Sequence, residues 1–115
     1  MKLAVLLLAT LLIAGCQPAQ DSARDSLAVS AEAIDIAQEK YLETCTADQT
    51  QRVCRLINDA VAAQNLGVEA LNLYCAGGDY LTGGVCQPNK EYLPRLQEAI
   101  RNLDSIIANI KELLR

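Results

Sequence analysis

The chain has 115 residues, of which 14 are acidic and 10 basic, and its net charge is −4 at neutral pH. This acidic balance, with four tyrosines as the only aromatic residues, argues against nucleic-acid binding, which uses a basic face and stacking platforms. Because the chain has no histidine, it lacks the commonest general base near neutral pH, and we predict neither an enzyme nor a cofactor site.

The N-terminal residues combine a basic start with an apolar run and small residues. Lys2 precedes the run from Leu3 to Ile13, which only Thr10 interrupts. The run is shorter than the roughly 20 residues of a helix that spans a bilayer. A charged start, a short apolar run and small residues are typical of a secretory signal peptide.

The sequence Ile13-Ala14-Gly15-Cys16 resembles the lipobox of bacterial lipoproteins. This resemblance implies that residues 1–15 are a cleaved signal peptide and that Cys16 carries the lipid, which holds a protein stably once two or more acyl chains are attached. In Gram-negative lipoproteins an Asp after the cysteine signals inner-membrane retention. Gln17 stands there instead, which implies the periplasmic side of the outer membrane in a Gram-negative host. The alternative is an ordinary signal peptide with an incidental cysteine.

We expect a lipidated tether over residues 16–22 and a single helical domain over residues 23–115. Asp21 or Ser22 would cap a first helix that runs from about Ser22 to Thr44. Its apolar residues recur at helical spacing, and acidic residues occupy the opposite face. The apolar stripe contains Leu27, Ala31, Ile34, Tyr41 and Cys45, and the acidic face contains Asp25, Glu32, Asp35, Glu39 and Glu43. Such a carboxylate run resembles a cation site but is more typical of a solvated face, so we predict no metal site.

A turn over residues 46–48 precedes a second predicted helix, from about Gln49 to Tyr74, with Asp48 or Thr50 as its cap. Its apolar stripe contains Cys54, Ile57, Val61, Val68, Leu71 and Cys75. Gly67 costs about 1 kcal/mol relative to alanine. Because the stripe keeps its spacing on both sides of Gly67, we favour a continuous or slightly kinked helix over a break there.

Two glycine pairs between Ala76 and Pro88 exclude a helix from that segment. Asn89 would cap a third helix, with Pro94 in its first turn. Its apolar stripe is wide enough to contact two neighbouring helices. The stripe contains Leu96, Ile100, Leu103, Ile107, Ile110 and Leu114, and Ala99, Ile106 and Leu113 widen it. Three helices with two connections predict an all-α, up-down-up three-helix bundle.

Four cysteines besides Cys16 predict two disulfides in an exported chain. A zinc site is the alternative, but the short Cys-x-x-Cys pairs of such sites are missing. Along a continuous second helix, Cys54 and Cys75 lie about 31 Å apart, whereas a disulfide needs Cα atoms within about 7 Å. The predicted pairs are therefore Cys45–Cys54 and Cys75–Cys86, and a break at Gly67 would reopen the other pairings.

The loop that the Cys75–Cys86 disulfide would close is the best candidate for recognition, because loops on rigid scaffolds often carry binding residues. Tyrosine is a favoured interface residue, and we identify Asp79, Tyr80 and Leu81 as candidate partner-binding residues with little core to enter. The alternative is a connector whose Tyr80 folds back onto the helices. An up-down-up bundle would return this loop to the membrane side, near the bilayer or an integral protein.

Together these features predict a small membrane-anchored periplasmic lipoprotein that acts as a non-enzymatic helical interaction module, with an envelope protein as its partner. One alternative is a phage- or plasmid-encoded exclusion or inhibitor lipoprotein that blocks an envelope receptor or enzyme. Another is a homo-oligomeric coiled coil that uses the spare apolar width of the third helix. We predict no nucleic-acid partner and no catalytic residues, and the mature domain resembles no specific family.

Overall fold

The computed structural model describes residues 17–77 and 80–115. These residues form α-helices and short 3-10 helices, with no β-strand among them, which confirms the predicted all-α class. The α-helices are α1 (Ala19–Lys40), α2 (Leu42–Ala47), α3 (Arg52–Tyr74) and α4 (Leu93–Leu113), and the 3-10 helices span Tyr80–Thr82 and Lys90–Tyr92. The helices pack together around one apolar core. The predicted signal peptide and the lipid-bearing Cys16 lie outside the described residues.

The first helix begins earlier than the sequence predicted. Pro18, and neither Asp21 nor Ser22, is the N-cap residue, and no side chain caps the helix. The Pro18 carbonyl oxygen instead accepts hydrogen bonds of 3.1 Å from the backbone N–H groups of Asp21 and Ser22. Residues 19–22 of the predicted tether are therefore helical, and Asp21 lies in the first turn, where a carboxylate is favoured by the positive end of the helix dipole.

The predicted first helix is divided at Tyr41 into α1 and α2. The Tyr41 hydroxyl and the Lys40 ammonium each donate a hydrogen bond of 3.2 Å to the Leu113 carbonyl oxygen. These bonds satisfy a carbonyl at the end of α4, which has no partner within its own helix. The break therefore lies where the end of α1 contacts the end of α4.

The capping predictions for the later helices are met only in part. Gln51, and neither Asp48 nor Thr50, is the N-cap of α3. The Asp48 carboxylate accepts hydrogen bonds from the Thr50 hydroxyl at 2.6 Å and the Thr50 N–H at 3.0 Å. Both bonds stabilise the ionised carboxylate and so lower the pKa of Asp48, and the bond from the Thr50 hydroxyl has the larger effect. Asn89 accepts a hydrogen bond from the N–H of Glu91 at 3.1 Å and caps the 3-10 helix before α4.

The third helix of the structure, α3, is continuous through Gly67, as predicted. Gly67 is buried, and a Cβ atom built on it would lie 3.0 Å from Leu27 Cδ2 and 3.6 Å from Ile100 Cδ1. The missing side chain therefore gives α1 and α4 room to approach α3 closely.

The core adds small residues on α1 and α3 to the predicted stripes, of which Leu27, Ile34, Ile57 and Leu71 are buried as predicted. Ala31 is exposed, and Val61 and Val68 are only half-buried. The buried small residues on these two helices are Ala23, Ser30, Ala33, Ala37, Cys54, Ala60, Ala63, Gly67 and Ala70. The helix α4 supplies large side chains to the same core, of which Leu96, Leu103, Ile107 and Ile110 are buried as predicted. Small residues on two helices thus make room for large residues on the third.

Candidate functional site

Two disulfides hold the ends of α3. Cys45 in α2 bonds to Cys54 in the first turn of α3, with Cα atoms 5.6 Å apart. Cys75, which directly follows α3, bonds to Cys86, with Cα atoms 4.4 Å apart. Both pairs are those predicted from the length of a continuous helix. The second disulfide closes the loop that the sequence identified as the candidate for recognition.

Backbone hydrogen bonds hold the segment that follows Cys86 against the C-terminal end of α3. The Gln87 N–H donates to the Cys75 carbonyl oxygen at 3.1 Å, and the Asn89 N–H donates to the Tyr74 carbonyl oxygen at 2.8 Å. Within the loop, Gly83 adopts a φ of 103°, a conformation that glycine reaches without the steric penalty of a side chain. The loop is therefore a folded part of the bundle end.

Tyr80 ties the loop to the first turns of α1. Its hydroxyl donates a hydrogen bond to the carboxylate of Asp21, a residue 59 positions earlier in the chain. The Arg24 guanidinium lies 5.2 Å from the centre of the Tyr80 ring and 3.7 Å from the Asp21 carboxylate. The hydrogen bond to Asp21 raises the pKa of Tyr80, because ionisation would remove the donated proton and place two negative charges together.

The candidate binding residues are less free than expected. Tyr80 and Leu81 are half-buried and pack against the core, as in the alternative that Tyr80 folds back. The expectation that they have little core to enter was wrong, because the end of the bundle leaves apolar surface for them to cover. Asp79 lies outside the described residues. Partner binding by these residues stays a prediction.

The structure adds Val85 to the candidate site. Its side chain is 85% exposed, the highest exposure among the large hydrophobic residues of the described chain. Its neighbour Cys86 is half-buried and held by the disulfide. The sequence offered one indication of this exposure: Val85 lies between Gly84 and the disulfide-bonded Cys86, in a loop with little chain to cover its side chain. Nothing in the sequence indicated that Asp21 and Arg24 belong to the candidate site, because only folding brings them into contact with Tyr80.

The acidic face of α1 is solvated. Asp25, Glu32, Asp35 and Glu39 are all exposed. Within residues 17–77 and 80–115, no group of three or more Cys, Asp or Glu side chains is arranged to hold a metal ion. In the same part of the chain, no helix has the length and apolar character required to cross a bilayer.

No protein-family model, curated protein or solved structure matches this chain. The candidate site is therefore defined by its own geometry: a disulfide-closed loop with one strongly exposed aliphatic side chain, joined to the start of α1 through Tyr80.

Proposed function

We propose that this chain is a small lipoprotein of the bacterial envelope that acts as a non-enzymatic helical interaction module. The lipid on Cys16 anchors it to the periplasmic face of the outer membrane of a Gram-negative host. The lipobox-like sequence Ile13-Ala14-Gly15-Cys16 supports the anchor. The two disulfides support export, because structural disulfides form and persist in oxidising compartments such as the periplasm.

In this proposal α1, α3 and α4 form an up-down-up bundle relative to the membrane. Contacts at both ends of the helices support these directions. Tyr80, after α3, contacts Asp21 at the start of α1, whereas Tyr41 at the end of α1 contacts Leu113 at the end of α4. Midway along the helices, the Gln64 side chain donates a hydrogen bond of 3.0 Å to the Leu27 carbonyl oxygen.

The contact between Tyr80 and Asp21 is the observation that carries the proposed binding role. Asp21 follows Cys16 closely in the sequence, and the intervening chain spans at most about 18 Å even when extended. A lipid on Cys16 would therefore hold the disulfide-closed loop near the bilayer surface. We propose that Val85, together with Tyr80 and Leu81 of the same disulfide-closed loop, contacts an integral envelope protein there.

The anchor is tested by the single substitution Cys16→Ser. We expect the unsubstituted chain to incorporate an alkyne-labelled fatty acid and to fractionate with the outer membrane. We expect Cys16→Ser to lose the label and the membrane association. The matched variant Gln17→Asp keeps the lipidated cysteine and should move the labelled protein to the inner membrane. An unlabelled chain, or a Cys16→Ser chain that stays in the membrane fraction, would contradict the proposed anchor.

The binding role is tested with a photoreactive residue at Val85. Leu42, which is 62% exposed on α2, provides a matched position at the opposite end of α3. We expect crosslinks from Val85 to an integral envelope protein and none to that protein from Leu42. Crosslinks from both positions to the same soluble periplasmic proteins would contradict the proposal.

A further inference from the structure

Two shallow depressions with apolar residues in their linings lie along the surface between α3 and α4, and together we call them the α3–α4 groove. At one end, Val53 and Leu56 face Leu113 across the groove. Further along, Ala63 and Leu66 of α3 face Ala99 of α4. Leu66 is 53% exposed. The groove therefore offers an apolar strip along two helices that already share the core.

Positive charge is concentrated at one end of the α3–α4 groove. Arg52 and Arg55 line that end, and neither forms an ion pair within the part of the chain that the structure describes. Asp59 also lines this end, which leaves an excess of one positive charge there. At the other end Glu98 lies with Arg95, whose guanidinium is 3.9 Å from the Glu69 carboxylate. The end with Arg52 and Arg55 is thus the one that favours an acidic partner.

The outer face of α1 has the complementary pattern, which we call the α1 stripe. It consists of Asp25, Val29, Glu32, Ile36 and Glu39, all exposed. The spacing of three and four residues aligns them on one side of the helix, opposite the residues that enter the core. Val29 and Ile36 are 49% and 48% exposed. Apolar side chains therefore alternate with carboxylates along this exposed helix face, and its Asp25 and Val29 border α4 beside Asp104 and Lys111.

We propose that the α1 stripe of one copy of this chain docks in the α3–α4 groove of a second copy. Two copies that stand side by side in the same direction bring the two surfaces into register. Within one chain, Leu27 lies level with Gly67, and Tyr41 lies level with Leu113. In a parallel neighbour, Ile36 and Glu39 therefore lie near the arginine end of the groove.

This contact joins two different surfaces, so each copy keeps one of them free for a further copy. Membrane anchoring would raise the effective concentration of parallel neighbours, although the fit of the two surfaces does not depend on the anchor. A single helix face in a shallow groove is a small interface, and such interfaces are usually weak and transient. We therefore expect reversible association that depends on concentration and on salt.

The test uses the full chain in mild detergent, followed by analytical ultracentrifugation. The groove variant Arg52→Glu/Arg55→Glu and the stripe variant Ile36→Lys/Glu39→Lys should each associate at least tenfold more weakly than the unsubstituted chain. Because each variant keeps one intact surface, the groove of the stripe variant can still accept the stripe of the groove variant, and their equimolar mixture should recover association that neither variant shows alone. Far-ultraviolet circular dichroism should be unchanged, since all four substituted positions are exposed.

A photoreactive residue at Ile36 identifies the surface that it contacts. We expect crosslinks within a second copy, at residues of the arginine end of the groove such as Val53 or Leu56. Crosslinks between two Ile36 positions would overturn the proposal in favour of a symmetric contact between α1 helices. A chain that stays monomeric at every concentration, in detergent and on membranes, would also overturn it. A chain without the lipid on Cys16 should still form this contact. The proposed anchor and the proposed contact between copies can therefore be contradicted independently of each other.

Discussion

At the scale of single residues, Tyr80 connects the disulfide-closed loop to the rest of the molecule. It reaches both the Asp21 carboxylate and, through its ring, the Arg24 guanidinium. Hydrogen bonds to charged groups contribute more than neutral ones, about 1.5–3 kcal/mol when buried, and exposure to solvent reduces that contribution. The protonated phenol is the form that makes this contact, so its stabilising effect depends on pH.

We predict that Tyr80 stabilises the fold less at high pH. Its pKa in the folded chain is raised above the unperturbed value of 10.0. The stabilisation is therefore fully present below about pH 10 and is lost as the pH rises through the native pKa. The difference in free energy of unfolding between the unsubstituted chain and Tyr80→Phe should shrink between pH 8 and pH values above 10, as measured by urea denaturation.

The control for this prediction is Tyr92→Phe. The hydroxyl of Tyr92 makes no hydrogen bond within the described residues, so its removal breaks no such contact. Its effect on stability should stay close to zero at both pH values. A Tyr80→Phe difference that is constant across this range would show that ionisation of Tyr80 is not coupled to folding.

At the scale of elements, each of the three long helices α1, α3 and α4 contacts the other two. Gly67 lies where all three meet, with side-chain atoms of Leu27, Ile100 and Leu103 between 3.0 and 3.7 Å from the position of a Cβ atom. The helical cost of glycine, about 1 kcal/mol relative to alanine, is therefore offset by the close approach that it permits. This packing also explains why a residue that weakens an isolated helix does not interrupt α3.

We predict that Gly67→Leu destabilises the fold by about 1–3 kcal/mol, the usual cost of overpacking a core. The added side chain would force Leu27 and the helices around it apart, and this cost exceeds the gain in helix propensity. Chemical denaturation followed by circular dichroism measures the change. Asn65→Leu, at an exposed position of the same helix, is the control and should change stability by less than about 0.5 kcal/mol. Equal stability of the two variants would contradict the close packing at Gly67.

At the scale of the whole molecule, stability depends on a core that is limited in size. Many of the buried residues are alanine, which contributes little apolar area. Small domains with modest cores commonly rely on additional links such as disulfides. The two disulfides lie at opposite ends of α3, so they constrain different parts of the unfolded chain.

We predict that removing each disulfide with paired Cys→Ser substitutions costs about 2–3 kcal/mol, from the sizes of the loops that they close. Because the sites are far apart, the losses should add, to a large share of the 5–15 kcal/mol typical of a folded protein. Thermal denaturation of the two double variants and of the fourfold variant measures the sum. A fourfold variant no less stable than either double variant would contradict independent contributions.

The features that were predicted correctly from the sequence depend on neighbours along the chain. Helical periodicity located the helices, and the rise per residue along a continuous α3 excluded a bond between Cys54 and Cys75. The Ile13-Ala14-Gly15-Cys16 motif and the candidate loop were likewise found as short segments, and their proposed roles await the experiments above.

The features that the sequence did not reveal depend on residues far apart in the chain. The break at Tyr41 coincides with its contact with Leu113, and Tyr80 folds back onto Asp21. Small residues of α1 and α3 such as Ala37, Ala60 and Ala70 are more deeply buried than Val61 and Val68, because three helices pack closely. Periodicity describes one helix at a time, whereas the rotation of each helix and the partners at its ends are set by the free energy of packing all three together.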